Sequence, residues 1–446
     1  MNNIIQRYSK HYSTIIRLGT PIVLGQLGNV ILGFIDTIMV GQYSGAALSA
    51  AGYVNNIFNL GIFAMLGFSY GATPIIGAFY GRRENDNVGH SFRDSIWANI
   101  LFGTIVIAAY SLLYINIGNL NQPEELLPLM RPYFLILLAS LPFVILFNSF
   151  KQFTDTVAAT KTALWVIIIG NFTNVVMNYL LIFGVCGFPE MGLKGAGIAT
   201  LLSRVPMALL FVMFIIGQKR FSSYKSGFKA RRSKRSDVKK LFKVGTPLAV
   251  QMGMETASFS LASLLMGWIG AVELAAFQVM CTTGSLCFLV YYGIAAASCI
   301  RISHYRGRGE WEKVNETATA SLHIILAVAA VLSTGIIIFK CQLAAAFTSD
   351  TSIQKMFIAM LIPMLAYQVS DGIQINYANA LRGIAVTKPM SIYALISYIL
   401  LALPVSYIFG FVFNLGGIGI AYGLPVGLTT AAILYYCRFR KEIANR

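Results

Sequence analysis

Stretches of about 20 apolar residues recur along the whole chain, and this pattern restricts the fold more than any other feature. Each stretch is long enough to cross the ~30 Å hydrocarbon core of a bilayer. Of the 446 residues, 57% are apolar and 11% are charged. Because backbone polar groups must be paired inside lipid, each stretch is predicted to be a helix. The predicted spans are 15–40, 47–77, 95–117, 130–152, 162–184, 193–216, 243–269, 274–301, 316–340, 353–377, 390–412 and 416–438.

Basic residues are concentrated on one side of these spans. The chain has 34 Lys and Arg residues and a formal net charge of +17. With a cytoplasmic N-terminus, only Arg131, Lys194, Lys340 and Lys355 fall in outer loops, and Arg204 lies within a span. This is the positive-inside distribution. The charge therefore indicates a multi-pass protein of the inner (plasma) membrane, in contact with lipid and with both termini in the cytoplasm, and no nucleic-acid partner.

The two halves of the chain resemble each other at a fixed offset of 226 residues. Gly19-Thr20-Pro21 corresponds to Gly245-Thr246-Pro247, and Phe79-Tyr80-Gly81 corresponds to Tyr305-Arg306-Gly307. Six spans per copy is an even number, so both copies enter the membrane from the same side, and a pseudo-two-fold axis along the membrane normal is predicted. The predicted fold is an all-α integral membrane protein with twelve transmembrane helices in two six-helix lobes.

This duplication predicts three parts of the chain. Residues 1–216 form an N-lobe, residues 217–242 a basic cytoplasmic linker, and residues 243–446 a C-lobe. Two similar bundles that rock against each other would give alternating access. The linker charge is interpreted mainly as a topology anchor, and it also suits anionic lipid headgroups.

Three carboxylates, Asp36, Glu255 and Asp371, lie in stretches that are predicted to sit in lipid. A charged acid at the bilayer centre costs roughly 2.5–3.5 kcal/mol even on the mild insertion scale, so such residues usually face a cavity and have a function. The acids do not follow the repeat, since Asp36 aligns with Ala262 and Glu255 with Asn29. The two lobes are therefore predicted to hold different sites.

The N-lobe acid has polar neighbours at a similar predicted depth. Asn174 and Asn178 share one face of the fifth span, and Thr200 lies early in the sixth. With Asp36, they lie roughly 8–15 Å below the outer surface at ~1.5 Å per residue. This hard oxygen set suits a small cation such as Na⁺, or a proton. The alternative is a role as hydrogen-bonding partners between helices, which is the interpretation we favour for Asn171.

In the C-lobe, two acids and a tyrosine are predicted to lie near the midplane. Glu255 belongs to the seventh span, and Asp371 lies well inside the tenth. Tyr367 precedes Asp371 by four residues and shares its face. Two carboxylates in one cavity do not easily ionise together, so a bound proton or Na⁺ is predicted there. The alternative is a structural acid paired with a basic residue, but Arg204 is in the other lobe.

Further candidates concern helix bending and substrate binding. Pro21 is predicted to act as a hinge, because proline removes a backbone hydrogen bond and kinks a helix; a passive kink is the alternative. For a substrate cavity, Gln278 adds polarity, and the rings of Phe288 and Tyr292 suit flat organic cations through cation–π contact.

These features together resemble the multidrug and toxic compound extrusion (MATE) family, in its NorM-like branch. The resemblance rests on Gly19-Thr20-Pro21, on Asp36-Thr37-Ile38-Met39-Val40-Gly41, on the twelve spans and on the doubled halves, and it covers about residues 10–440. It implies that Asp36, Asn174, Asn178 and Thr200 match the family's N-lobe cation site. It also implies that Glu255, Tyr367 and Asp371 match the C-lobe site of the NorM-like branch.

The resemblance implies a multidrug efflux antiporter, driven by Na⁺ or H⁺, that exports small organic cations such as drugs and dyes and so contributes to antimicrobial resistance. We expect a monomer without a cofactor. We do not expect an enzyme, because the sequence has no HExxH, Gly-x-Ser-x-Gly, P-loop or dinucleotide motif. A lipid-linked oligosaccharide flippase of related fold is the alternative. Its cavity would need basic residues for pyrophosphate, whereas acids predominate here.

Overall fold

The structure is a computed structural model that describes residues 2–119, 124–230 and 233–446. These residues form helices and no β-strand. The helices up to residue 230 are α1 (Asn2–Tyr43), α2 (Gly45–Ser69), α3 (Ala72–Gly81), α4 (Asn85–Ile115), α5 (Leu127–Thr156), α6 (Thr160–Phe183), α7 (Gly192–Gly217) and α8 (Lys225–Ala230). The later helices are α9 (Arg235–Ile269), α10 (Ala271–Arg308), α11 (Trp311–Ile338), α12 (Lys340–Phe347), α13 (Thr351–Ala359), α14 (Leu361–Gly383), α15 (Lys388–Ala394), α16 (Leu403–Tyr407) and α17 (Gly416–Ala444).

Irregular helical turns connect some of these elements. Short 3₁₀ segments occupy Ile117–Asn119, Glu124–Leu126 and Lys219–Tyr224, and π-helical stretches occupy Leu395–Ala402 and Ile408–Val412, on either side of α16. The eleventh predicted span therefore contains two π-helical stretches. Such π-helical turns are rare and are often found at functional sites.

Each of the twelve predicted spans corresponds to a helical part of the structure. Among the described residues, ten stretches are long and apolar enough to cross a membrane, and the bent pair α13–α14 makes an eleventh. The remaining predicted span lies in α9, which has 35 residues. It is less apolar than the others because Gln251, Glu255 and Thr256 lie in it. The predicted all-α membrane fold is confirmed.

Two of the predicted spans are interrupted. The second is broken at Tyr70 and Gly71, between α2 and α3. The tenth is broken at Met360, where α13 and α14 meet at an angle of 51°. Pro363 is the third residue of α14, a position where the backbone N–H has no partner within the helix. The proline therefore starts the new helix without the loss of a hydrogen bond.

The chain divides into two compact units. The N-unit contains Leu24–Ala249, and the C-unit contains Met1–Val23 together with Val250–Arg446. Both changes of unit lie inside a helix, two residues after Pro21 in α1 and two residues after Pro247 in α9. Equivalent helix segments of the two repeats are therefore exchanged between units, while the lobe boundaries at 1–216 and 243–446 stay a sequence prediction.

Glycines allow the exchanged segments to pack closely within each unit. In the C-unit, a Cβ atom on Gly19 would lie 3.1 Å from the carbonyl oxygen of Gly293. In the N-unit, a Cβ atom on Gly245 would lie 2.7 Å from the carbonyl oxygen of Phe68. Because Gly19 and Gly245 are equivalent in the repeat, both copies use the same device to bring backbones together.

The predicted linker 217–242 is largely helical. Its first part, up to Ala230, packs on α4 of the N-unit, where Arg93 Nη1 donates to the carbonyl oxygen of Phe228 at 2.8 Å. Its last part begins α9 at Arg235. Arg231 and Arg232, which also belong to the predicted linker, lie outside the described residues.

Candidate functional site

Asp36 is joined to the fifth predicted span by side-chain hydrogen bonds within the N-unit. It lies on α1, while Asn174 and Asn178 lie on α6. Asn178 Nδ2 donates to Asp36 Oδ1 at 2.6 Å and to Asn174 Oδ1 at 2.9 Å. Both asparagines are only 1% exposed. The spacing of four residues on α6 thus places both amides on one face, as predicted.

The same network continues to α7. Asn174 Nδ2 donates to Ser203 Oγ at 3.4 Å, and Ser203 Oγ donates to the carbonyl oxygen of Thr200 at 2.8 Å. The Thr200 hydroxyl donates to the carbonyl oxygen of Ala196 on its own helix at 3.0 Å. Thr200 therefore joins the network through its backbone, and its hydroxyl oxygen keeps lone pairs that accept hydrogen bonds or bind a cation.

A positive charge lies near this acid. Arg204, on α7, is within electrostatic range of both Asp36 and Tyr133. Its Nη1 donates to Ser140 Oγ at 2.5 Å, and the Tyr133 hydroxyl donates to Asn55 Oδ1 at 3.1 Å. The sequence singled out Arg204 as the basic residue within a span but did not pair it with Asp36. Tyr133 carried no signal that separates it from the other tyrosines.

One acceptor atom in the N-unit network stands apart. Asn178 Oδ1 is buried and has no hydrogen-bond partner in the described part of the chain. The amide is oriented this way because its nitrogen serves two acceptors, Asp36 and Asn174. A buried acceptor without a partner is costly. Together with the Asp36 carboxylate, it fits the oxygen ligands that a small hard cation prefers.

The C-unit brings its two predicted acids into electrostatic range of each other. Glu255 lies on α9, and Asp371 lies on α14 together with Tyr367. Asp371 is 5% exposed and Tyr367 is 4% exposed. The Tyr367 hydroxyl occupies the space that a side chain at position 284 would fill, so Gly284 on α10 is required for this packing. The interaction of two like charges makes this cluster a natural place for a bound cation.

Polar groups from the same helix and from a distant segment lie near these acids. Gln251 Nε2 donates to Glu255 Oε2 at 3.5 Å. Tyr398, in the first π-helical stretch, lies within electrostatic range of both acids, and its hydroxyl accepts a hydrogen bond from Gln374 Nε2 at 2.8 Å. Gln251 and Tyr398 are not among the site residues predicted from the sequence. The four-residue spacing from Glu255 was a usable signal for Gln251, whereas Tyr398 had none.

The residues predicted for a substrate cavity are only partly brought together. The rings of Phe288 and Tyr292 lie 5.9 Å apart on α10. Gln278 lies ten residues before Phe288 on that helix, and its Nε2 donates to Ser263 Oγ at 3.0 Å. Pro21 lies inside the continuous helix α1. The cavity assignment and the hinge both stay predictions.

One protein family matches both halves of the chain. The model of the MatE family matches residues 21–180 and 247–408. The chain belongs to the MatE family. The two matched segments begin 226 residues apart, which is the offset of the internal repeat. Membership of the MatE family confirms the resemblance stated above, and it identifies the chain as a transporter rather than an enzyme.

Curated relatives cover nearly the whole of this MatE protein. It is 29% identical over 446 residues to the probable multidrug resistance protein NorM of Mannheimia succiniciproducens, across 98% of this chain and 95% of the relative. It is 27% identical over 435 residues to the multidrug resistance protein NorM of Vibrio cholerae, across 96% of this chain and 95% of the relative.

A solved structure has the same fold as this MatE protein. It is an outward-facing conformation of a multidrug resistance MATE family transporter of the MOP superfamily. The two chains superpose with a TM-score of 0.89 at 20% identity, across 98% of this chain and 96% of the other. This likeness supports the all-helical membrane fold.

Proposed function

We propose that this MatE protein is a multidrug efflux antiporter that exchanges small organic cations for Na⁺ or H⁺ by alternating access. It works as a monomer in the bacterial inner membrane, with both termini in the cytoplasm and without a cofactor. The names of the NorM relatives support the export of drugs. The distribution of basic residues supports the orientation.

One observation carries the coupling role. Asp36 is held by Asn178, whose own buried oxygen has no partner in the described part of the chain. A cation bound there would satisfy this acceptor and offset the desolvation of the carboxylate. We therefore assign Asp36, Asn174, Asn178 and Thr200 to a binding site for the coupling ion.

The C-unit supplies a second cation site in this proposal. Because Glu255 and Asp371 repel each other when both are ionised, a proton, a Na⁺ ion or an organic cation would stabilise the pair. Tyr367 shares a helix face with Asp371 and completes the site. If drug and ion prefer opposite states of the transporter or compete for these acids, binding of one favours release of the other.

The energetics permit such an exchange. Moving one positive charge outward against 100 mV costs about 2.3 kcal/mol, and one cation moving inward returns the same amount. Each tenfold gradient of drug requires about 1.4 kcal/mol. A one-for-one exchange is electrically silent, whereas two acidic sites allow two ions per drug and would also use the membrane potential.

An oligosaccharide flippase is the other candidate. Its pyrophosphate would need basic groups with free charge, and the basic residue near the N-unit site, Arg204, has the Asp36 carboxylate within electrostatic range. The charge balance thus favours a cationic substrate.

Dye efflux from proteoliposomes tests the proposal, with Na⁺ and H⁺ gradients imposed separately. Efflux of a cationic dye under at least one gradient is expected, and Asp36→Asn should reduce it by roughly 30-fold or more. Glu125→Gln, which removes a carboxylate from an exposed position outside the network, serves as the control. Absence of efflux under both gradients would refute ion-coupled export.

A further inference from the structure

The linker covers an apolar cavity of about 380 Å³ at one end of the N-unit. The first turns of α4 contribute Phe92 and Ile96, the last turns of α7 contribute Ile215, and the linker contributes Phe228. This volume lies within the range of roughly 300–1,000 Å³ that is typical of ligand sites. The cavity is separate from the Asp36 network, which the proposed transport cycle uses.

Close backbone packing holds this cavity in shape. A side chain at Gly89 of α4 would collide with the carbonyl oxygen of Tyr224, and a side chain at Gly227 of α8 would collide with the carbonyl oxygen of Asp86. The hydrogen bond from Arg93 to the Phe228 carbonyl adds a polar contact between the same elements. The cavity is therefore formed before any ligand arrives.

The wall is aromatic and aliphatic, and its side-chain polar groups are the phenol hydroxyl of Tyr224 and the ammonium groups of Lys225 and Lys229. Tyr224 is 8% exposed, and this burial raises the pKa of its phenol. The two lysines are four residues apart on α8 and are both exposed. Lys225 Nζ donates to the carbonyl oxygen of Ile216 at 2.8 Å, and an ammonium group has two further donors.

Two residues of the cavity wall on α7 expose apolar side chains. Val212 is 36% exposed and Ile216 is 62% exposed. Both lie in the last turns of a helix that is long and apolar enough to span a membrane. This part of the wall is therefore expected where the hydrocarbon meets the headgroups, on the side that we propose to be cytoplasmic, and the exposed lysines suit the water-facing side of that boundary.

We propose that this cavity binds an acyl chain of an anionic phospholipid whose phosphate contacts Lys225 and Lys229. The apolar wall suits the chain, and the two ammonium groups complement a negatively charged headgroup. Organic cations, which are the proposed transport substrates, would be repelled by the same lysines. A zwitterionic lipid fills the same space but carries no net negative charge, so the site distinguishes the two lipid classes.

Native mass spectrometry of the purified full chain tests the headgroup. After equilibration with micelles that contain phosphatidylglycerol and phosphatidylcholine, the wild type should retain the anionic lipid. Lys225→Gln/Lys229→Gln should lower that preference by roughly tenfold. The matched pair Lys239→Gln/Lys243→Gln removes the same charge from exposed positions outside the cavity wall and should leave the preference unchanged. Equal losses of this preference in both double variants would overturn the site and indicate a general attraction between the basic linker and anionic lipid.

Two further measurements test the acyl chain. Ile215→Trp should fill the cavity and lower retention of both lipids, and unchanged retention would overturn the assignment. In the wild type, phosphatidylglycerol with a photoreactive acyl chain should label residues 92–96 or 212–229, and labelling confined to other segments would contradict the proposal. Inorganic phosphate should not displace the lipid, whereas displacement by phosphate alone would identify a simple anion site. The labelling result does not depend on any variant folding.

Discussion

The N-unit and the C-unit place their membrane acids in different surroundings. In the N-unit, a single carboxylate, Asp36, accepts a hydrogen bond from Asn178 and has Arg204 in electrostatic range. In the C-unit, Glu255 and Asp371 interact with each other. In the part of the chain that the structure describes, no Lys or Arg ranks among the charge partners of these two acids.

This contrast shows how a duplicated scaffold can carry two chemistries. The N-unit site has nearly balanced charge before any ion binds, so oxygen geometry is expected to decide which cation fits. The C-unit site holds two carboxyl groups that repel each other when both are ionised, so a positive charge of almost any kind is expected to stabilise it. A proton or a bulky organic cation serves as well as Na⁺ does.

The largest effect is expected from removing Asp36, the acid of the N-unit cation site. Asp36→Asn should reduce ion-driven dye efflux by roughly 30-fold or more, because one buried partner of a charged network is lost. Initial efflux rates from proteoliposomes measure this change. Efflux within the range of the Glu125→Gln control would show that the N-unit site does not couple transport.

Removing both acids of the C-unit cation site should change the pH dependence of efflux as well as its rate. Because two neighbouring carboxylates share protons, efflux through Glu255→Gln/Asp371→Asn should vary roughly tenfold less across the pH range 6–8 than efflux through the wild type. Rates measured at fixed gradient and stepped pH test this. A double variant with the full wild-type pH profile would place proton binding elsewhere and break the comparison.

Removing the positive charge of Arg204 should strengthen cation binding at the N-unit site. Arg204→Met should lower the ion concentration for half-maximal efflux by roughly tenfold, since Asp36 loses a competing positive neighbour. Ser140→Ala is the matched control, because it removes the hydrogen bond of Arg204 but keeps the charge. An equal shift in both variants would mean that loss of the Arg204–Ser140 hydrogen bond, rather than loss of the charge, is responsible.

The amide with the unpaired oxygen should matter more than its neighbour on the same helix. Asn178→Ala should weaken ion-driven efflux by roughly fivefold, which is the effect of one hydrogen-bonding group of about 1 kcal/mol. Asn171→Ala, which lies outside the network, should have little effect. Titration of efflux against ion concentration compares the two. Similar losses would assign both amides a purely structural role.

The smallest effect is expected at the phenol near the C-unit acids. Tyr398→Phe should slow efflux by roughly twofold to threefold, since Gln374 loses a neutral hydrogen-bond partner. Tyr393→Phe, on the same predicted span, is the control. Should Tyr398→Phe match Asp371→Asn in severity, the phenol itself would be part of the cation site.

Features with a local period were accessible from the sequence. Asn174 and Asn178 share a face because four residues make about one helical turn, and Tyr367 and Asp371 follow the same rule. The predicted depths of Asp36 and Asn178 in the membrane placed these two residues at the same level, although 142 residues separate them in the sequence. Twelve apolar windows were sufficient to identify the helical membrane fold.

Features that depend on packing between distant segments were not accessible. The composition of residues 217–242 predicted only a linker. In the structure, glycines at positions 89 and 227 allow part of this segment to pack directly on α4. The break at Met360 and the approach of Tyr398 to the acids depend on neighbouring helices. No local pattern distinguishes Tyr398 or Tyr133 among the 22 tyrosines of the chain.

The exchange of helix segments after Pro21 and Pro247 has a consequence for biosynthesis. The N-unit extends to Ala249, so the ribosome must translate into the second repeat before that unit has all its parts. The amino-terminal segment up to Val23 belongs to the C-unit, so it waits in the bilayer until the last spans emerge. Neither repeat alone encodes all the residues of one unit, and one reading frame supplies both repeats in equal amounts.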